Sequence, residues 1–313
     1  MAEEVAMREV YGKTLVELGR ENPDIVVLDA DLSASTQTKL FAAEFPERFY
    51  DCGIAEQNMV TIAAGLAASG KIPFASTFAV FVPGRCFDQV RVSIAQSTLN
   101  VKLVVTHGGL SVGEDGSTHQ AIEDLALITS MPTFTVIVPA DGTETAQAVK
   151  TAAVLQGPVY IRLPRLKTPI FYDDDYKFEI GRASELRSGN DVTIIAIGIM
   201  VATALEASEN LTEEGIDARV INMSTLKPID EAAIIRAIQE TGAVVTAEEH
   251  LEHGGLASAV AQVAAKHAPA PMEFVALHRY AESGPPPELL KKYGLTSADI
   301  EAAVKKVLKR KTS

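Results

Sequence analysis

Short continuous apolar runs alternate along this chain with longer segments whose apolar residues recur every three or four positions. The runs read as strands buried on both faces, the longer segments as helices with one apolar face. In the first half, helix is expected at 5–20, 120–129 and 143–155, and strand at 25–30, 72–78, 101–106, 134–138 and 158–163. Another helix starts at Glu56, runs through the small apolar residues 59–68 and stops at Gly70. A further one follows the phenylalanine-rich segment 78–92. After a polar stretch at 166–190, read as an interdomain linker, the alternation resumes. Strand is expected at 191–197, 217–222, 242–247 and 272–277, helix at 201–214, 230–240 and 254–267. The end, 288–309, reads as two short helices behind a stiff exposed loop at 282–287. Such alternation predicts an α/β fold of two domains, 1–180 and 181–313, each a mainly parallel sheet flanked by helices.

In open parallel sheets, ligands bind beyond the carboxyl ends of the strands. The polar loops at those ends carry the candidate chemistry. Glu56 falls in the first turn of its helix, where the dipole is positive. Taken alone, it reads as an ordinary dipole-matched glutamate on a buried helix. The small residues that follow let another backbone come close. The loop Asp31-Leu32-Ser33-Ala34-Ser35-Thr36 offers either a polar site or a helix cap. Phe78 and Phe81 form either an apolar wall at a strand end or ordinary core.

The loop from His107 to Gln120 is the richest stretch, with His107, Glu114, Asp115 and His119 separated by four glycines. Glycines let a backbone turn sharply and approach a ligand, and histidine donates, accepts and shuttles protons near neutral pH. Neither a His-Xaa-Xaa-Xaa-His pair nor a neighbouring cysteine accompanies them, so no metal site is expected in this chain. Arg162 and Arg165, at the end of the strand 158–163, suit a phosphate or carboxylate, or else a surface salt bridge. His250 and His253 lack partner ligands nearby and read as interdomain or subunit contacts.

Composition narrows the function. A net charge of −13 argues against nucleic acid and against an anionic membrane surface, so any anionic ligand must be held by a few local cations. The only cysteines, Cys52 and Cys86, show no metal spacing and no disulfide framework, which fits a reducing, cytoplasmic setting. No signal peptide and no membrane span are expected.

The order of these features resembles the carboxyl-terminal part of transketolase over about residues 5–305. The most specific stretch is Ser111-Val112-Gly113-Glu114-Asp115-Gly116-Ser117-Thr118-His119-Gln120, with His107 eight residues before Asp115. Gly53-Ile54-Ala55-Glu56-Gln57 and Thr77-Phe78 are shared more widely with users of thiamine diphosphate. The resemblance implies a pyrimidine-binding domain followed by a transketolase C-terminal domain. It matches Glu56 to the glutamate that hydrogen-bonds a ring nitrogen of the cofactor's aminopyrimidine, and Phe78 and Phe81 to aromatics packed on that ring. Asp31 matches a cofactor-pocket aspartate and Ser35 a substrate-phosphate serine. Arg8 and Arg165 match phosphate-binding arginines. His107 and His119 match histidines that handle sugar hydroxyls and move protons, and Asp115 an aspartate that reads a hydroxyl beside the reacting carbon.

Two departures stand out. Gly84 occupies the place where transketolases often carry a third aromatic. The diphosphate-binding domain, with its Gly-Asp-Gly and metal, is missing. The resemblance therefore implies one subunit of a split transketolase that transfers a two-carbon ketol unit between sugar phosphates. Thiamine diphosphate and Mg2+ would be the cofactors, the divalent ion being held by an N-terminal partner subunit, with two copies of each chain. A beta subunit of a 2-oxo-acid dehydrogenase, half of a deoxyxylulose-phosphate synthase and a non-catalytic assembly subunit are the alternatives.

Overall fold

The computed structural model describes residues 4–173 and 175–311; Asp174, in the acidic part of the polar stretch, lies outside them. A short strand β1 (Glu4–Ala6) leads into helix α1 (Met7–Glu21). Then come β2 (Ile25–Asp29), the short helices α2 (Ser33–Thr36) and α3 (Lys39–Glu44), β3 (Phe49–Asp51), α4 (Glu56–Ala68) and β4 (Ile72–Ser76). Three linked helical turns follow. Phe81–Arg85 and Val90–Ala95 are wound in the wide i→i+5 pattern, with α5 (Phe87–Gln89) between them. Next are β5 (Lys102–Val105), α6 (Asp124–Thr129), β6 (Thr135–Ile137), α7 (Gly142–Val154), β7 (Val159–Arg162), β8 (Lys167–Pro169) and β9 (Ser184–Arg187). The remainder runs β10 (Val192–Ala196), α8 (Met200–Glu213), β11 (Ala218–Asn222), β12 (Thr225–Lys227), α9 (Glu231–Thr241) and β13 (Val244–Leu251). It ends α10 (Leu256–His267), β14 (Met272–Leu277), α11 (Pro286–Lys292) and α12 (Ser297–Lys311).

These strands form a seven-stranded sheet, β12-β6-β7-β5-β4-β2-β3, and a five-stranded sheet, β14-β13-β10-β11-β9. Pairing is parallel throughout except at one edge of each sheet, β12 on β6 and β9 on β11. The expected two-sheet α/β architecture is therefore present. The largely apolar runs β2 and β10 are buried along their whole length, as central parallel strands must be.

Three expectations are corrected. The stretch 166–190 is not a plain linker: β8 pairs with β1, and β9 is the edge strand of the second sheet. β12, which the apolar pattern does not signal, comes from the second half of the chain yet completes the first sheet. The last helix, Ser297–Lys311, is not short. His250 does lie between the halves, its Nε2 3.4 Å from the amide of Ala126, whereas His253 is exposed. Among the described residues, no helix is long and apolar enough to cross a membrane.

The two sheets are fused rather than merely tethered. One apolar cluster includes Met59, Val60 and Val90 from the first half and Ile195, Ile221, Leu226 and Leu256 from the second. Each large buried aliphatic there is worth about 1.5–3 kcal/mol. Arg162 also binds the halves, which corrects the surface-salt-bridge reading of this residue. Its Nε donates to Asp124 Oδ2 (2.9 Å) and its Nη2 to the carbonyls of Ala121 (2.8 Å) and Glu249 (3.1 Å). Both partners of the ion pair are buried, and the Tyr160 hydroxyl donates to the same Asp124 oxygen at 2.8 Å. Removing one member of a buried pair strands the other, at about 3–5 kcal/mol. Arg162→Met should therefore lower stability by about 3–5 kcal/mol, read from the midpoint of urea unfolding. A loss below about 1 kcal/mol would mean that the pair does not anchor the interface.

Candidate active site

Five neighbouring strands, β7, β5, β4, β2 and β3, run parallel and end at one edge of the first sheet. Every sequence-predicted site residue except Arg8 follows one of these ends, and Arg8 reaches the edge from α1. The edge is shaped first by Asp29, the last residue of β2. Its buried carboxylate accepts from the amide of Leu32 (2.6 Å) and the hydroxyls of Thr36 (2.7 Å) and Thr38 (2.8 Å). Burial pushes this carboxyl above its ordinary value. The bonds fold the loop into the turn of α2, so that the carbonyl of Ser35 accepts from Arg8 Nη1 at 3.1 Å. Arg8 Nε is buried without a hydrogen-bond partner. Asp31 adopts a left-handed φ of 63° and is exposed.

Glu56 opens α4 and is only 3% exposed. Its carboxylate accepts from Arg85 Nη1, at 2.9 Å to Oε1 and 2.8 Å to Oε2. The Arg85 guanidinium carbon lies 4.4 Å from the centre of the Phe81 ring. Phe81 stacks on Phe78 (5.8 Å between centres), and Phe78 stacks on the His107 ring at 3.9 Å. His119 meets Phe81 (5.6 Å) and Phe78 (6.4 Å) edge-on. A continuous surface thus runs from the buried carboxylate across two aromatic faces to two imidazoles.

His107 holds a left-handed φ of 61°, uncommon for a residue other than glycine, and its Nδ1 lies 2.8 Å from Thr106 Oγ1. Burial, then the charges of Arg8, Arg165 and His119, push its imidazole down to about 3. The same effect locates both arginines and His119 within electrostatic reach of one ring. Arg165 donates to the Val112 carbonyl (2.7 Å) and to Glu114 Oε2 (3.0 Å), a largely exposed pair that is weakly held. The structure thus gathers Glu56, Phe78, Phe81, His107, His119, Arg8, Ser35 and Arg165. Asp31 and Asp115 are exposed at the rim.

The loop glycines do something other than admit a ligand. A Cβ on Gly108 would meet Arg162 Nε at 2.7 Å, and one on Gly109 would meet the Glu249 carboxyl carbon at 2.2 Å. Gly113 and Gly116 face Pro286 and Ser283. All four therefore make room for the chain's own packing. Residues absent from the sequence reading hold this loop in place. Glu249 of β13 accepts from the amide of Ser111, Gln120 Nε2 donates to the Glu282 carbonyl (3.0 Å), and Ser283 Oγ donates to the Glu114 carbonyl (2.6 Å). No spacing rule signals contacts between residues so far apart in the chain. The 282–287 loop packs on the His107 loop as a clamp, and α11 begins at Pro286.

The first sheet thus carries a buried acid, aromatic faces and cations beyond the carboxyl ends of its strands, where open parallel sheets bind ligands. Comparison with known proteins makes this specific. Residues 3–170 match the transketolase pyrimidine-binding domain and residues 181–300 the transketolase C-terminal domain. A Methanocaldococcus jannaschii protein named as a transketolase C-terminal section is 46% identical, over 97% of this chain and 96% of its own length. Human transketolase is 39% identical over 97% of this chain, which spans 49% of it. A solved split-gene transketolase, described as an inactive β4 tetramer, superposes with a TM-score of 0.93 at 54% identity, covering 98% of this chain and 99% of its own. The chain belongs to the transketolase family, a thiamine diphosphate-dependent family, and corresponds to its carboxyl-terminal section.

The clamp gives stability a pH dependence. Burial pushes the Glu248 and Glu249 carboxyls from 4.5 up to about 7. At these two groups the folded chain binds more protons than the unfolded one between these values, so their contribution to stability is full below about pH 4.5 and is lost as pH rises through about 7. Glu249→Gln should remove on the order of 1–3 kcal/mol of that fall, measured by urea unfolding across the range. An unchanged slope would contradict the burial of a neutral Glu249.

Proposed function

We propose that this chain is the carboxyl-terminal subunit of a two-chain transketolase that moves a two-carbon ketol unit from a ketose phosphate to an aldose phosphate. The observation that carries the reading is the buried Glu56 carboxylate, linked through the Arg85 guanidinium to the stacked Phe78–Phe81 faces, which lead on to His107 and His119. A buried carboxylate beside aromatic faces fits a flat, nitrogen-bearing ring. The Arg85 guanidinium, itself flat and nitrogen-bearing, already fits between them.

When bound, thiamine diphosphate would supply the carbanion chemistry that ketol transfer needs. Glu56 would share a proton with a nitrogen of the aminopyrimidine, Phe78 and Phe81 would pack on that ring, and Asp31 would complete the pocket. Arg8, Ser35 and Arg165 hold the sugar phosphate. Arg8 Nε lacks a partner, and the pair Arg165 makes with Glu114 is largely exposed and weakly held, so both can turn to an anion. Binding energy from the phosphate orients the distant carbonyl. Asp115 reads a hydroxyl next to the reacting carbon. His107, neutral above about pH 3, acts as a hydrogen-bonding ring, while His119 moves protons, a role typically worth ~10²–10⁴-fold.

Residues 1–180 form the pyrimidine-binding domain and 181–313 the domain that clamps it. The diphosphate and Mg2+ fall to an N-terminal partner subunit, two copies of each chain assembling in a reducing cytoplasm. Accordingly, this chain alone should show no ketol transfer, and mixing it with the partner, thiamine diphosphate and Mg2+ should restore it. Glu56→Ala should remove at least ~10²-fold of the restored rate, and Glu56→Gln nearly as much. Full activity from the chain alone would refute the two-chain reading, and an unaffected Glu56→Gln complex would refute the catalytic one.

A further inference from the structure

Arg85 has no part in the function proposed above, yet it makes the most specific contacts at the site. Both Glu56 oxygens accept from its Nη1, and its guanidinium carbon lies over Phe81. The side chain is 48% exposed while that of Glu56 is 3% exposed, so the guanidinium stands between the buried carboxylate and solvent. Its backbone is pinned as well, since Gln57 Nε2 donates to the Arg85 carbonyl at 3.0 Å. The wide turn Phe81–Arg85 places ring and guanidinium one turn apart, which lets the cation fold back over the ring. Beside it, a Cβ built on Gly84 meets no atom within 4 Å, so open space adjoins the turn.

We propose that Arg85 is a stand-in for the cofactor ring: in the cofactor-free chain its guanidinium fills the place between Glu56 and Phe81 that the aminopyrimidine takes, and it swings out when the ring enters. The proposal rests on the assignment of Glu56 and Phe81 to the aminopyrimidine. Its logic is that of the contacts themselves. A planar cation offers the carboxylate an N–H donor and offers the phenyl face a flat partner, the two contacts a protonated or amino-bearing pyrimidine offers. Two groups cannot share that space. A buried carboxylate is costly without a partner, and Arg85 meets this need until the ring arrives. Half its side chain lies in solvent, so the contact is screened and reversible. Apparent cofactor affinity is then reduced by the fraction of molecules in which Arg85 has left.

The test is equilibrium and stopped-flow binding of thiamine diphosphate, with Mg2+, to the cofactor-stripped two-chain complex. Wild type is compared with Arg85→Ala, Arg85→Gln, Glu56→Ala and Phe81→Ala, each checked for a cooperative thermal transition. The stand-in predicts that Arg85→Ala and Arg85→Gln bind about 5- to 30-fold tighter, through a faster association rate, and that the gap to wild type narrows as salt screens the pair. Arg85 variants that bind as wild type does, or more weakly, while Glu56→Ala and Phe81→Ala weaken binding, overturn this proposal and leave the site assignment intact. If Glu56→Ala and Phe81→Ala bind as tightly as wild type, or if no variant binds, the site assignment itself fails and takes the proposal with it.

Discussion

A carboxylate held almost wholly out of water has to be matched by something, and at Glu56 two things match it. One is the amino end of α4, whose free N–H groups favour negative charge. The other is the guanidinium of Arg85, 29 residues further on. That second contact fixes more than a charge. It ties the wide turn Phe81–Arg85 to α4 and lays the guanidinium over Phe81, which stacks on Phe78 as Phe78 stacks on the ring of His107. One buried acid thus stands at the head of the aromatic wall.

The second half of the chain acts on the same edge from below. Glu249 and Arg162 press against Gly109 and Gly108, and the 282–286 segment covers Gly113 and Gly116. A loop bearing His107, Asp115 and His119 would otherwise be free to move. Here it is held by a sheet that contributes none of the proposed reacting groups. Precision at the site is therefore a property of both sheets, which is why they share an apolar cluster and exchange a strand.

Much of this was legible in the chain. Continuous runs such as Ile25–Asp29 and Val192–Ala196 can only be buried strands, and strand ends followed by Asp31, Phe78, His107 and Arg165 point to one edge. What was hidden depends on distance along the chain. β12 is three residues long, and its partner β6 lies far earlier in the sequence. Arg162 looks like a surface cation until Asp124, 38 residues earlier, folds against it. The glycines of the His107 loop look ligand-facing until Glu249, 138 residues beyond Ser111, takes the space. Local pattern encodes elements and their polarity; pairings of buried charges are set by topology, which pattern alone does not carry.

The central claim is that Glu56 is the acid to which the cofactor ring binds. The most direct measurement is a crystal structure of the two-chain complex with thiamine diphosphate. The account predicts a Glu56 oxygen at hydrogen-bond distance, about 2.6–3.2 Å, from a nitrogen of the aminopyrimidine, with the ring against Phe81. A bound ring lying elsewhere, with Glu56 still closed on Arg85, would contradict it.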